Sequence, residues 1–496
     1  MLNSLLSLTS ALLLVLLFPR FGLTFLAPFA LTPLLIAACR EASPLRRFLM
    51  GEAAGFIYWF GVCYWIQFVL AVHGGMGEAG GWGVFLLFCL AKAMHMAVFT
   101  TLAGPIMHRW FAVPAAAALW TGLERTHGPL GFAWLTLGNT GIEMGVPMRL
   151  APFTGVYGLS FVFAMLGAAL ALVALRRSRV ELLWLAILPG LYLLPELPPP
   201  IRATQSAVAL QPNIPQSASW TTISAREMQE SLVTLSLQSA LNPNLPKPAF
   251  IVWPEAPGPL YYFTDPHFRG LSEQLARATR LPLLLGTVAY SAGNAPLNSA
   301  LLLSAEGKPV SRYDKITLVP FGEYVPPPFG FVNRITQEAG DFEPGSRIVV
   351  SRIDGHMAGT FICYESAFPH LVRQFAKEGA ELLINITNDG YFGRSAARGQ
   401  HLLLARMRAA ENQRWLLRPT NDGFTASIDP AGRLVETIEP YQRSVNRLSF
   451  SWKAAKTHYT EQGDWFAWTC LLLGLAAAGV GHTRVIYRRG EDSLVR

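Results

Sequence analysis

A thiol, a carboxylate and an ammonium each stand where an apolar run ends. Cys363 closes HMAGTFIC and precedes the helical pattern SAFPHLVRQFAKEG, which puts its sulfur at a strand-to-helix turn. Glu255 follows Phe250, Ile251, Val252 and Trp253 in FIVWPEAP, and Lys315 and Glu323 lie among apolar and proline residues in RYDKITLVPFGEYVP. A thiol can attack an acyl carbon, a carboxylate can take the proton it sheds, and an ammonium can meet the charge gathering on the carbonyl oxygen. A helix N-terminus beside Cys363 would favour its thiolate. Singly, each residue has a plainer reading. A lone Glu after a strand suits a solvated loop, charges near 315 suit a surface strand, and an isolated cysteine is either buried and inert or kept for its chemistry. The other four cysteines, Cys39, Cys63, Cys89 and Cys470, lie in apolar runs. No Cys/His spacing suggests a metal site and no glycine-rich phosphate loop occurs, so no metal and no cofactor are expected.

These strand ends need a sheet-bearing domain to position them. From 204 to 438, eleven β-rich runs alternate with helical runs at 223–241, 265–279, 366–378 and 399–412, a pattern that predicts two sheets covered by helices. No internal repeat stands out. The rest of the chain is different in kind. Of the 496 residues 51% are hydrophobic and only 15% charged, against about 25% in soluble domains, which argues against both an ordinary soluble enzyme and a disordered chain. Apolar runs at 2–18, 21–39, 48–72, 81–107, 110–123, 152–175, 180–195 and 464–483 are candidates to cross ~30 Å of hydrocarbon. The runs at 110–123 and 180–195 are short and contain Pro114 and Pro189, so the count is seven or eight. Glu52 and Lys92 fall inside these runs with no role assigned.

The predicted organisation is a multi-span domain over 1–195 of about seven helices, a Pro-rich connector at 196–203, a catalytic domain over 204–452, a final transmembrane helix at 464–483 and a basic tail at 484–496. The net charge of +8 invites a nucleic-acid partner, but the surplus is +5 over 1–203, +1 over 204–452 and +2 beyond, so the polar domain is nearly neutral and no nucleic acid is expected. With the N-terminus inside, inner loops and tail hold eleven arginines (Arg40, Arg46, Arg47, Arg109, Arg176, Arg177, Arg179, Arg484, Arg488, Arg489 and Arg496) against Arg20, Arg125 and Arg149 outside. That bias places residues 196–463 outside the cytoplasm.

The order of Glu255, Lys315 and Cys363 resembles the carbon–nitrogen hydrolase, or nitrilase, superfamily over about 204–450. More specifically, QPNIPQSASW at 211–220, WPEAP at 253–257, YDKITLVPFGEYVP at 313–326, CYES at 363–366 and NITNDGYFG at 385–393 are similar to the bacterial apolipoprotein N-acyltransferases. The resemblance implies a multi-pass α-helical membrane domain plus an α/β, αββα-sandwich extracytoplasmic domain. It implies Glu255 as general base, Lys315 at the oxyanion and Cys363 as nucleophile, with Asn298, Glu323, Tyr364 and Glu365 supporting and Trp220, Tyr391 and Phe392 toward the substrate. Glu323 would hold or neutralise Lys315. Glu365 either orients Tyr364 or another group, or is a helix-start carboxylate favoured by the dipole. Tyr391 departs from the family pattern, which has Trp in the NDxWFG loop.

The implied reaction moves an acyl chain from a membrane phospholipid to the α-amino group of a diacylated apolipoprotein, in a ping-pong cycle through a Cys363 thioester. It places the protein in the bacterial inner membrane, as a monomer with its catalytic domain on the periplasmic side. Apolar stretches at Tyr324 to Phe331 and at Tyr391 with Phe392 suit contact with acyl chains, and Gly390 and Gly393 suit a moving lid. The competing readings are a membrane-tethered amidase and a non-catalytic scaffold.

Overall fold

The computed structural model describes residues 1–130, 132–177, 179–216, 218–255, 258–324 and 342–493. The expected apolar loop beyond Tyr324, and Ala256 and Pro257 of the WPEAP motif, lie outside the described residues. The chain forms two compact units, one of 1–64, 82–197 and 462–496, the other of 65–81 and 198–461.

In the first unit every predicted apolar run is helical, but they differ in length. Gly77–Ile106, Val156–Ala174 and Trp465–His482 are long and apolar enough to cross a membrane, or four if the pair Pro44–Cys63 and Trp65–His73 counts as one broken span. The runs at 2–18 and 21–39 form shorter helices, Leu2–Leu16 and Thr24–Arg40, and the run at 180–195 is wound as a 3₁₀ helix around Pro189. The final helix continues to Ser493, through most of the expected tail. Outward faces carry Leu5, Leu8, Leu12, Leu86, Leu87, Leu90, Leu472 and Leu473, all exposed, where a helix in water would place polar residues. Helix Ala112–Thr126 meets the last helix so closely that a Cβ on Gly122 would sit 2.3 Å from the Leu471 Cα. Arg125 pairs with Asp464 at 2.5 Å and lies over the Trp468 ring, tying the same two helices. Lys92 is buried, its Nζ 3.0 Å from the Phe132 carbonyl and 5.0 Å above the Trp59 ring, beside His127.

The second unit is an αββα sandwich. One sheet has the order β12-β1-β2-β3-β4-β5, with β1 Gln205–Gln211, β2 Phe250–Val252, β3 Leu283–Tyr290, β4 Pro296–Leu303, β5 Pro309–Asp314 and β12 Ser444–Phe450. The other has the order β11-β10-β9-β8-β7-β6, with β6 Val350–Ile353, β7 His356–Ile362, β8 Leu382–Ile386, β9 Trp415–Arg418, β10 Thr425–Ile428 and β11 Leu434–Ile438. Inner strands are apolar throughout, as double-sided burial demands: β2 and β8 are buried at every residue. Helices Thr222–Ala240 and Pro266–Thr279 cover the first sheet through Leu232, Phe268 and Leu275. Helices Pro369–Lys377 and Ala397–Asn412 cover the second.

The two sheets are built alike. β1, β2 and β3 are parallel and linked by helices, then β4 and β5 turn back antiparallel; β7, β8 and β9, followed by β10 and β11, repeat that plan. The repeat is one of topology, which the residue pattern does not display. β12 was not among the predicted strands; it pairs antiparallel with β1 from Gln205↔Phe450 to Gln211↔Ser444 and closes the first sheet.

Residues 65–81, expected in the first domain, group instead with the second unit. The Trp65 indole N–H donates to Gln400 Oε1 at 3.2 Å, and the Trp65 ring packs edge-on against Phe392.

Candidate active site

Sheet direction brings the acid and the base together. β2 and β3 run parallel, β4 reverses and β5 reverses again, so the C-terminal ends of β2 and β5 share one edge. Glu255 follows β2 and Lys315 follows β5 on that edge. Between them stands Asn298 on β4, whose carbonyl accepts from the Lys315 N–H at 2.8 Å. Lys315 is 1% exposed, with Nζ 3.3 Å from Glu255 Oε1 and 2.9 Å from Glu323 Oε1. The Asn298 amide donates to the same two oxygens, at 2.7 and 2.6 Å. The remaining oxygens are also used: the Asn388 N–H donates to Glu255 Oε2 and the Val319 N–H to Glu323 Oε2, each at 2.8 Å. Burial alone would lower the Lys315 pKa, but the two carboxylates more than offset it and hold it well above the ordinary lysine value. Lys315 is therefore a fixed cation at neutral pH.

Cys363 follows β7 with φ +51°, a left-handed conformation that a β-carbon disfavours. The sharp turn it makes opens a short 3₁₀ helix, Cys363–Ala367, and the α-helix begins only at Pro369. The expected thiolate at a helix N-terminus is not what this produces. Burial pushes the Cys363 thiol well up, Glu255 adds to the rise, and Lys315 only partly opposes it. The resting group is a protonated thiol beside a carboxylate.

Glu365 starts the 3₁₀ turn after β7 and also holds other groups in place. Fully buried, its Oε1 accepts from the Tyr313 hydroxyl at 2.7 Å, the Ile316 N–H at 2.7 Å and the Thr317 N–H at 3.1 Å, while Oε2 accepts from the Ile362 N–H at 2.7 Å. One carboxylate thus clamps the segment after Lys315 to the turn that carries Cys363. Glu365→Gln places an amide N–H against one of four donors, and leaving a buried donor unpaired costs ~1 to 3 kcal/mol. The variant should unfold at a lower temperature than the parent; equal values in a thermal melt would refute the clamp.

Two family models match: "Carbon-nitrogen hydrolase" over residues 230–445 and "Apolipoprotein N-acyltransferase N-terminal domain" over 10–169. The chain is similar to an apolipoprotein N-acyltransferase of Geobacter metallireducens, 33% identical across 97% of this chain and 95% of that protein. The chain belongs to the apolipoprotein N-acyltransferase family. Relatives of that name from Methylococcus capsulatus and Azotobacter vinelandii are each 32% identical, over 99% and 94% of this chain and 97% and 93% of their own. The nitrilase-type fold of the second unit is the carbon–nitrogen hydrolase part of this acyltransferase family member.

The remaining predicted positions are distributed unevenly around the site. Tyr391 and Phe392 lie on the 3₁₀ turn Asp389–Phe392 after β8. The Tyr391 ring meets His73 at 5.0 Å and Phe392 meets Trp65 at 4.9 Å. Burial raises the Tyr391 phenol, with Glu255 and Glu323 adding to the rise, as expected of a ring beside the acid pair. Gly393 ends this turn at φ +57°, and a Cβ there would approach the Phe68 ring to 2.7 Å. Tyr364 packs edge-on against Phe368 at 5.0 Å. Trp220 is half-buried against the core of the first sheet.

Behind Cys363 lies a polar cluster that the sequence pattern does not display. In helix Ala397–Asn412 fourteen of the sixteen residues are buried, His401 and Arg398 among them. Asp389 and Arg418 are buried with them, and Arg398 pairs with Asp422 at 2.6 Å. Burial would raise the Asp389 carboxyl, but Arg418 and His401 outweigh it and hold it well below the ordinary range. Nothing local in the sequence separates these residues from solvated ones.

Proposed function

We propose that this protein transfers a fatty acyl chain from a membrane phospholipid to the α-amino group of the N-terminal S-diacylglyceryl-cysteine of apolipoproteins. It works as a monomer through a thioester on Cys363. The observation that carries the reading is a fully buried Lys315 ammonium fixed between Glu255 and Glu323 next to the Cys363 turn.

In the first half-reaction Glu255 takes the Cys363 proton as sulfur attacks the ester carbonyl. Lys315 faces the oxygen as negative charge develops there, in a water-poor setting where a preorganised cation is most effective. The tetrahedral intermediate collapses, the glycerol oxygen leaves with the proton from Glu255, and lyso-phospholipid departs. In the second, Glu255 takes a proton from the attacking amine, the C–N bond forms, and the Cys363 sulfur leaves and is reprotonated. A thioester keeps much of the acyl-transfer potential of the ester and an amide lies downhill, so no nucleotide is required. Asn298 and Glu323 hold Lys315, Glu365 fixes both turns, and Tyr364, Tyr391, Phe392 and Trp220 face the lipid or support the groups that do.

The domain of 1–195 with the helix at 464–483 crosses the bacterial inner membrane several times, leaving the connector at 196–203 and the catalytic domain at 204–452 on the periplasmic side. Supporting this are the exposed leucines of the helices and the inner-loop arginine bias.

The test is to incubate purified protein with a phospholipid bearing an isotopically labelled acyl chain, find the adduct by mass spectrometry, then add a diacylated lipopeptide. Label should appear on Cys363 and pass to the peptide amine. Label that appears and is released only to water would make the protein a hydrolase and not a transferase, and absence of any adduct would defeat the thioester route.

A further inference from the structure

We propose that His401 is a positioning residue that anchors the Cys363 carbonyl and thereby aims the Tyr364 N–H at the oxygen of the acyl group under attack. This rests on the reading of Cys363 as nucleophile with a main-chain donor acting beside Lys315, and adds the residue that holds that donor in place.

His401 Nε2 lies 3.0 Å from the Cys363 carbonyl oxygen. A carbonyl only accepts, so Nε2 carries the proton and donates it. The other ring nitrogen, Nδ1, lies 2.8 Å from Asp389 Oδ1 and 3.0 Å from Arg418 Nη2. Arg418 Nη2 in turn spans both Asp389 oxygens at 3.1 and 3.0 Å. All three side chains are wholly buried. The Asn385 amide adds a longer contact to the same carbonyl at 3.4 Å, and the Phe392 ring stands edge-on to His401 at 5.7 Å, closing that side of the imidazole.

Burying an aspartate, a guanidinium and an imidazole is costly unless each is paired, and the chain of partners here ends on one main-chain oxygen. That oxygen belongs to the residue with φ +51°. Such a conformation persists only where its surroundings fix it. The Cys363–Tyr364 peptide is planar and trans, so its C=O and N–H point in opposite directions. Holding the carbonyl on the His401 side therefore turns the Tyr364 N–H to the other side of the plane. A main-chain donor held this way is worth most when charge develops on an acyl oxygen, and loss of one such donor slows acyl transfer by ~10² to 10³-fold.

Two reactions of the same sulfur separate this role from general stability. Acylation builds an oxyanion, whereas alkylation by iodoacetamide is a direct displacement at carbon that builds none. Glutamine places an amide N–H near the position of imidazole Nε2, and asparagine reaches only as far as Nδ1. In single-turnover assays on the full-length protein with labelled phospholipid, His401→Asn and His401→Leu should acylate ~10² to 10³-fold more slowly than the parent. Their alkylation rates should stay at the parent value, and His401→Gln should recover most of the acylation. The proposal is overturned if His401→Asn acylates as well as His401→Gln, or if alkylation falls in step with acylation. Should His401→Leu fail to fold, the Gln and Asn pair decides alone. Acyl adduct on Cys363→Ala would instead overturn the nucleophile reading itself, and this proposal with it.

Discussion

Cys363→Ala should abolish acyl transfer while leaving the fold intact. Alanine keeps the β-carbon, so the left-handed turn at φ +51° is no more strained than with cysteine, and a thermal melt should match the parent. What disappears is the atom proposed to carry the acyl group. Where a nucleophile works as a unit with its base and oxyanion donors, removing it alone costs on the order of 10⁶ in kcat. Lipopeptide product should fall to background and no adduct mass should appear. Cys363→Ser should recover almost nothing, because a hydroxyl is far harder to deprotonate than a thiol and Glu255 is a single modest base. A Cys363→Ala variant that still forms triacylated product would place the chemistry elsewhere in the protein.

Lys315→Met should damage both stability and rate, and its stability loss should depend on pH. In the parent, the ammonium and the Asn298 amide share the Oε1 atoms of Glu255 and Glu323. Methionine fills much of the space and leaves two carboxylates converging on one amide. Breaking a buried pair in this way costs ~3 to 5 kcal/mol. The variant relieves the repulsion by keeping a proton on one carboxyl, which raises that group's folded pKa above its unfolded value. A group raised in this way contributes its full stability below the unfolded pKa and loses it as pH rises through the folded one. The gap between parent and variant should therefore be small near pH 4 and widen toward pH 8, about the range over which carboxyl groups of this kind titrate. Parent Lys315 stays charged throughout that range, so the slope belongs to the variant. Acylation should fall by ~10² to 10³-fold from loss of oxyanion stabilisation. A stability deficit that is flat in pH would contradict the shared-proton account.

The three strand ends were legible because an apolar run that stops on Glu255, Lys315 or Cys363 is a local pattern; strand direction then carries Glu255 and Lys315 to one edge of the first sheet, while Cys363 ends a strand of the second. Glu323 was legible through its neighbourhood with Lys315. The function of Glu365 was not, since its four partners come from Tyr313, the segment at 316–317 and Ile362, and only the folded chain assembles them. His401 and Arg418 escaped for a related reason. Charged residues on a helix or at a strand end are ordinarily solvated, and nothing local says that a second sheet and a loop will cover them. β12 was missed because SVNRLSF mixes polar and apolar residues, and its strand form comes from pairing with β1, more than two hundred residues away. The grouping of residues 65–73 with the second unit was not legible because apolar side chains that pack on Phe392 and Tyr391 look, in sequence, like side chains that face lipid.

The protonated state of the resting Cys363 has a consequence for how long the enzyme lasts. A thiolate, not a thiol, attacks peroxide and disulfides, so a sulfur whose pKa is pushed up by burial is slow to form a sulfenic acid or to enter mixed-disulfide exchange. With no second described cysteine in its own unit to resolve such damage, durability has to come from withholding the reactive form until an acyl donor occupies the site. The same burial that makes the thiol a reluctant nucleophile at rest also spares a lone cysteine from oxidants.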